Sequence, residues 1–276
     1  MLEPSIVKDE EVEYLIKDVY EMYGYDFSEY SRASFKRRVN RICLIDRFTS
    51  FAELRYTVLN DPEYLKRFVE EITVNVTEMF RDPLFFKKLR EKILPQLGTY
   101  PLIRIWIAGC STGEEAYSIA ILLKEANLYH KSLIYGTDLN PTVLETARAG
   151  VFPLQQMKIY SENYMLSGGK KDFSDYYTAN YDSVQFDKSL KEKLILSTHN
   201  LVSDSSFNSF QLIICRNVLI YFDRELQERV FKLFDNSLEN LGYLALGSKE
   251  TIRFSKLDKI YHQVDDQRIW KKTEHI

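Results

Sequence analysis

Apolar positions recur with a helical period through the first hundred residues and give way to short apolar runs after Pro101. Val12, Leu15, Ile16 and Val19 mark one helical stripe, and Phe35, Val39 and Ile42 mark a second. A third helix has a start signal: Asp61 as a capping carboxylate and Pro62 in the first helical position, ahead of Leu65, Phe68, Val69 and Ile72. Asp82-Pro83 repeats that signal before Leu84, Phe85, Leu89 and Ile93. Nothing between residues 10 and 95 reads as a strand.

Beyond Pro101 the runs 102–107 (LIRIWI), 132–137 (SLIYGT), 194–198 (LILST), 211–215 (QLIIC) and 243–246 read as strands. Helical patterns separate them: one with Ala116, Ile119, Ala120 and Leu123, one from Asn140-Pro141 to Gly150, and one from Asp223 to about Asn240. Such alternation predicts an α/β fold, a parallel sheet with helices on both faces. Residues 151–193 interrupt it with Tyr160, Tyr164, Tyr176, Tyr177, Tyr181 and a Gly168-Gly169 turn, and read as a small inserted β unit. The expected division is a helical domain over 1–75, a linker with a connecting helix over 76–100, and the sheet domain over 101–276 with its insertion at about 151–193.

Composition adds exclusions. A chain of 276 residues has room for one large domain and a smaller one. A net charge of −3 gives no global bias toward nucleic acid, so any basic surface is local. No apolar run approaches the roughly 18 residues of a spanning helix. The acidic N-terminus lacks a signal-peptide core, which points to the cytoplasm. Cys43, Cys110 and Cys215 are far apart, and the four histidines lack metal-ligand spacing, so neither disulfide nor metal is expected.

Candidate chemistry gathers where strands end. After residues 102–107 comes the small-residue turn Gly109-Cys110-Ser111-Thr112-Gly113, then Glu114 and Glu115. In an open α/β sheet, ligands sit beyond the carboxyl ends of strands. The paired carboxylates either suit the helix dipole alone or receive a cationic ligand; they would repel a pyrophosphate. Asp138, at the end of the second strand, holds ribose hydroxyls or begins the turn D-L-N-P, and the two are compatible. Asn200-Leu201 and Arg216-Asn217 follow later strands at the same edge, although Asn217 as a helix cap and Arg216 as a surface charge remain open. Periodicity gives the segment Asn75–Asp82 no ligand role.

NVTEMFRDP, AGCSTGEEAYSIA, GTDLN and CRNVLIYF, in this order, resemble the chemotaxis receptor methyltransferases of the CheR family, over about residues 10–270. The resemblance implies a class I methyltransferase-like doubly wound sheet, an all-helical N-terminal domain and a small inserted β-subdomain. It implies S-adenosyl-L-methionine as cofactor and S-adenosyl-L-homocysteine as product. Position by position, it implies that Asn75, Thr77 and Arg81 close over the cofactor, that Glu114 or Glu115 (Glu115 the favoured one) contacts it, and that Asp138 binds its ribose. Asn200 and Leu201 would flank the adenine, Arg216 and Asn217 would line the pocket, and Tyr221 would stand near the methyl group. The sequence departs from many relatives in having Ala116 after the paired glutamates, and in a longer, tyrosine-rich segment over residues 168–186. In some members the β-subdomain docks a receptor's C-terminal peptide by strand addition.

The implied reaction is esterification of glutamate side chains on a chemoreceptor or related signalling protein. A glutamate carboxylate, with an ordinary pKa near 4.3, is already ionised, so no general base is needed. Arg216 or Arg81 would orient it by a bidentate contact rather than a buried ion pair, and Arg216→Ala should lower turnover with the fold intact. Arg37, Arg38 and Arg41 share a helix face and would meet the acidic receptor helices; a solvated face is the alternative. A methyltransferase with another substrate and a non-catalytic cofactor-binding scaffold are the competing functions. RNA is disfavoured by the short basic stripe, and a monomer is the default.

Overall fold

A computed structural model describes residues 7–28, 30–73 and 77–273. The chain divides into two units, Met1–Asn75 with Leu219–Val230, and Val76–Val218 with Phe231–Ile276.

The first unit begins with four helices, α1 (Asp9–Tyr23), α2 (Arg32–Ile45), α3 (Phe51–Asn60) and α4 (Pro62–Thr73). The predicted stripes are the buried ones: Val12, Leu15, Ile16 and Val19 on α1, Phe35, Val39 and Ile42 on α2, and Leu65, Phe68, Val69 and Ile72 on α4. Asp61 starts α4 as expected, its Oδ1 accepting the amides of Glu63 and Tyr64 at 3.0 and 3.2 Å. The sequence reading missed α3, whose stripe is only Phe51, Leu54 and Val58. Its signal is the capping pair at its start, where Ser50 Oγ accepts the Glu53 amide and the Glu53 carboxylate accepts the Thr49 amide.

The second unit opens with α5 (Pro83–Lys88), a π-helical turn (Leu89–Ile93) and α6 (Leu94–Leu97). Then come β1 (Ile103–Ala108), α7 (Glu114–Glu125), β2 (Ser132–Asp138) and α8 (Pro141–Ala149). The insertion holds β3 (Val151–Pro153), α9 (Met157–Leu166), β4 (Tyr177–Asn180) and β5 (Ser183–Phe186). After it run β6 (Leu194–Thr198), β7 (Phe210–Cys215), α10 (Arg224–Ser237), β8 (Leu238–Leu246), β9 (Tyr261–Asp265) and β10 (Ile269–Lys272).

Seven strands form one sheet in the order β6-β2-β1-β7-β8-β10-β9. The first five run parallel, whereas β10 and β9 are antiparallel to their neighbours. From β1 the chain adds β2 and then β6 on one side before crossing to β7 and β8 on the other, so the topological switch point lies between β1 and β7. Both faces of β1 are covered. Ile105 and Ile107 join the cluster with Phe85 and Ile119, while Trp106 packs 5.1 to 5.4 Å from Phe207, Phe210 and Phe234. That is why the strand reads as a continuous apolar run rather than an alternating one. β8 begins at Leu238, ahead of the expected 243–246, and ends the helix earlier than expected. β9 and β10 were not foreseen, because YHQVD and IWKK are short and half polar.

The insertion is more than a hairpin: its sheet has three antiparallel strands, β3-β5-β4, with α9 between the first two in sequence. Its tyrosines explain themselves by packing. Tyr164 and Tyr176 hydroxyls donate to Glu125 of α7 at 2.5 and 3.1 Å, and Arg90 of the π-helical turn pairs with the same carboxylate. Tyr181, at the hairpin tip, is 93 % exposed.

The segment Leu219–Val230, which the sequence reading left with the sheet domain, belongs with the helices. The Ser31 amide donates to Tyr221 O at 2.8 Å, Tyr30 bridges to Phe222, and α10 starts here with Leu226 and Val230 buried.

Candidate active site

β1 ends at the switch point, and the turn after it is shaped by what surrounds it. Gly109 has φ +77°, and a Cβ there would lie 2.4 Å from Val218 Cγ2. Only glycine lets β1 turn this close to the chain leaving β7. The Gly109 and Cys110 amides both donate to Thr137 O at 2.8 Å, tying the turn to the end of β2.

Asp138 finishes that tie. Its Oδ2 accepts the Ser111 amide at 2.9 Å and its Oδ1 accepts the Asn140 amide at 3.0 Å. It is buried, and burial pushes its pKa up against the lowering effect of those amides. Ser111 Oγ and Asn140 Nδ2 flank this carboxylate, buried and without a hydrogen-bond partner. Buried polar atoms are rarely left so, and both have spare hydrogen-bonding capacity. The His199 amide donates to Asp138 O at 3.1 Å and brings the Asn200-Leu201 loop to the same edge. Within it, Asn200 Oδ1 accepts the Val202 amide at 2.9 Å, and Leu201 is half-buried.

The two glutamates at the start of α7 have different surroundings. Glu114 is buried, accepts from Thr112 Oγ1 at 2.6 Å, and faces the Tyr160 hydroxyl of α9 at 3.4 Å. Burial pushes its pKa up to about 7. Glu115 instead accepts from Arg216 Nη1 at 2.7 Å.

Arg216 is a hub, its side chain 3 % exposed. Its Nη2 donates to Asp82 Oδ2 at 2.5 Å and to Arg81 O at 3.1 Å, and its guanidinium lies 4.2 Å from the Phe85 ring centroid. This corrects two expectations. Arg216 is not a surface charge, and its removal would leave Glu115 and Asp82 without their cation, so the fold is not indifferent to it. Next to it, Asn217 has φ +62°, and its amide shares Glu250 Oε2 with the Gly247 amide at 3.0 and 2.6 Å.

The linker is gripped by this unit. The Phe80 amide donates to Ser118 Oγ at 3.0 Å, and Asn163 Nδ2 of α9 donates to Met79 O at 3.1 Å. Thr77 and Arg81 are half-buried; Asn75 lies outside the described residues. Among the described residues no group of three or more metal-type ligands is assembled.

Tyr221 belongs to the first unit, where the Arg38 guanidinium lies 4.7 Å from its ring centroid. Arg38 is buried, donates to Glu71 O at 3.1 Å, and has its pKa lowered by burial, so it is not part of an exposed basic face with its neighbours. Arg37 and Arg41 are exposed, with Arg41 3.6 Å from Glu71. Lys36 and Arg32 pair with Asp9 and Glu13 of α1, which further shortens the stripe.

Sequence reasoning passed over Ser111, Asn140, Tyr160, Asn163 and Asp82. Asp82 and Asn140 were visible only as helix starts, and nothing in spacing distinguishes Tyr160 or Asn163 from core residues.

Two family models match the chain: the CheR methyltransferase all-alpha domain over residues 10–73, and the CheR methyltransferase SAM binding domain over residues 75–268. The chain is 45 % identical to a Pseudomonas putida protein described as a methyltransferase, Cher3, over 96 % of this chain and 97 % of that one. It is 33 % identical to a chemotaxis protein methyltransferase of Borreliella burgdorferi, covering 91 % of each. It is 30 % identical to a chemotaxis protein methyltransferase of Listeria monocytogenes, over 90 % of this chain and 92 % of that one.

Proposed function

Because the chain belongs to the CheR methyltransferase family, we propose that it esterifies glutamate side chains on the cytoplasmic part of a chemoreceptor. It is an S-adenosylmethionine-dependent methyltransferase with a class I methyltransferase-like fold. The carrying observation is the convergence of the G-C-S-T-G turn, Asp138, Asn200 and Arg216 on the carboxyl ends of β1, β2, β6 and β7. The substrate class is supported by the relatives that are chemotaxis protein methyltransferases. No helix among the described residues is long and apolar enough to cross a membrane, and the proposed substrate places the enzyme in the cytoplasm.

S-adenosylmethionine, when bound, supplies an electrophilic methyl group on a cationic sulfur. The residues present fit that group: two carboxylates begin α7, and Ser111 Oγ and Asn140 Nδ2 have spare hydrogen-bonding capacity beside Asp138. In this proposal Asp138 holds the ribose, Asn200 and Leu201 flank the adenine, and Glu114, Glu115, Arg216 and Asn217 line the pocket. Thr77 and Arg81 cover it from the linker. The Arg216 Nη atoms already serve Glu115, Asp82 and Arg81 O. Arg216 so placed holds the backbone that carries Arg81, and in this proposal Arg216 or Arg81 orients the substrate carboxylate. No base is required, since the substrate is an anion at neutral pH. Orientation of the reacting groups is worth on the order of 7–11 kcal/mol of barrier.

The test is transfer of radiolabelled methyl to a chemoreceptor cytoplasmic fragment, with the product treated with alkali. Glutamate methyl esters release volatile methanol, and that release is expected. Alkali-stable label on the fragment, or none from an enzyme that binds the cofactor, would refute the substrate assignment.

A further inference from the structure

Asp82-Pro83 has the sequence of a helix start, and the structure breaks that rule. Pro83 does open α5, yet the Asp82 side chain makes no capping hydrogen bond. Asp82 is in the left-handed region, with φ +58° and ψ +70°, and its carboxylate reaches Arg216 Nη2 instead. Two residues earlier, Phe80 is also left-handed, at φ +53°. Arg81 therefore sits between two strained residues, each costing about 1–3 kcal/mol, which persist only where their surroundings over-determine them.

The surroundings differ on the two sides. Phe80 is anchored by packing: its ring meets Phe86 and Tyr164 at 5.2 Å each, and its amide is held by Ser118. On the other side the anchor is charge. Arg216 takes Arg81 O and Asp82 Oδ2 on one nitrogen, while Glu115 holds its other end. Stacked on Phe85 and buried, Arg216 has one orientation to offer.

We propose that Asp82 is a positioning residue for the cofactor: it gives up capping α5 to hold Arg216, and so fixes the turn that presents Arg81 and the linker to the cofactor site. The proposal rests on the linker closing over the cofactor, and not on the identity of the methylated protein. Its test therefore reads cofactor affinity without any protein substrate.

The experiment is calorimetric titration of the full chain with S-adenosylhomocysteine, for the wild type, Asp82→Ala and Asp82→Asn, with melting temperatures recorded alongside. Asparagine keeps an acceptor for Arg216 and tolerates the left-handed region; alanine does neither. Asp82→Ala should weaken binding about tenfold or more, and Asp82→Asn should restore it to within about threefold of wild type, tenfold being about 1.4 kcal/mol. Asp82→Asn should melt close to wild type, because Asp82 is 46 % exposed and caps nothing. Asp82→Ala should melt somewhat lower, for the cost of about 1–2 kcal/mol of alanine in the left-handed region, and its affinity is read below its melting temperature. Wild-type affinity in Asp82→Ala would overturn the proposal, as would an equal loss in both variants. A wild type that binds the product and yet methylates no receptor would overturn the substrate assignment and leave this proposal standing.

Discussion

At the scale of single residues, Glu114 and Arg216 make opposite predictions. Glu114 is raised from 4.5 to about 7 because burial penalises its charged form more than Thr112 and Tyr160 favour it. The folded protein thus holds a proton that the unfolded chain has released between those two values, and stability falls as pH rises through that window. The loss approaches about 3 kcal/mol above pH 7, at about 1.4 kcal/mol per pH unit. Glu114→Gln removes it: thermal melts should match wild type near pH 4.5 and exceed it at pH 8. Equal melting temperatures at both values would show that Glu114 is not perturbed. Arg216→Ala should instead destabilise by about 3 kcal/mol, since Glu115, its side chain only 13 % exposed, is left without its cation. Denaturant titration reads that loss, and wild-type stability would contradict the hub. The position of Arg216 and Asp138 at the carboxyl edge was legible because they follow or end apolar strands. Asp82 was misread as a cap, since the sequence shows the local rule and not the distant guanidinium that overrides it.

At the scale of elements, β1, its turn and the exit of β7 form one unit. Gly109→Ala forces alanine into the left-handed region, costing about 1–2 kcal/mol, and drives its Cβ toward Val218. The variant should melt lower and bind S-adenosylhomocysteine poorly. Val218→Ala in the same chain relieves the collision and not the backbone strain, so recovery should be partial. Full recovery would show that φ at Gly109 is unimportant, and no effect of Gly109→Ala would deny the close approach. The central strands were readable because burial on both faces makes them uniformly apolar. β9 and β10 were not, because their apolar positions are too few to set a period. The tyrosines of the insertion signalled an interruption, and their convergence on Glu125 required the fold.

Across the whole molecule, net charge is −3 and the basic residues of α2 are largely spent within the helical unit. Lys36 and Arg32 answer carboxylates of α1, and Arg38 is buried against Tyr221. Exposed pairs contribute little to stability, so Arg37, which has no ion pair among the described residues, and the loosely paired Arg41 remain available to an acidic partner. Arg37→Glu should slow receptor methylation, most strongly at low salt, and change stability by no more than about 0.5 kcal/mol. Arg38→Ala should destabilise the chain by about 1–3 kcal/mol. Initial rates at two salt concentrations, with melting curves, separate the two roles; a salt-independent effect of Arg37→Glu would remove it from the docking surface. The central claim is that the cofactor is held at the carboxyl edge organised by Asp138, and calorimetric titration with S-adenosylhomocysteine of the wild type and Asp138→Ala tests it most directly. Binding by the wild type that is lost in a folded Asp138→Ala is the predicted result. Undiminished binding by that variant would place the cofactor elsewhere.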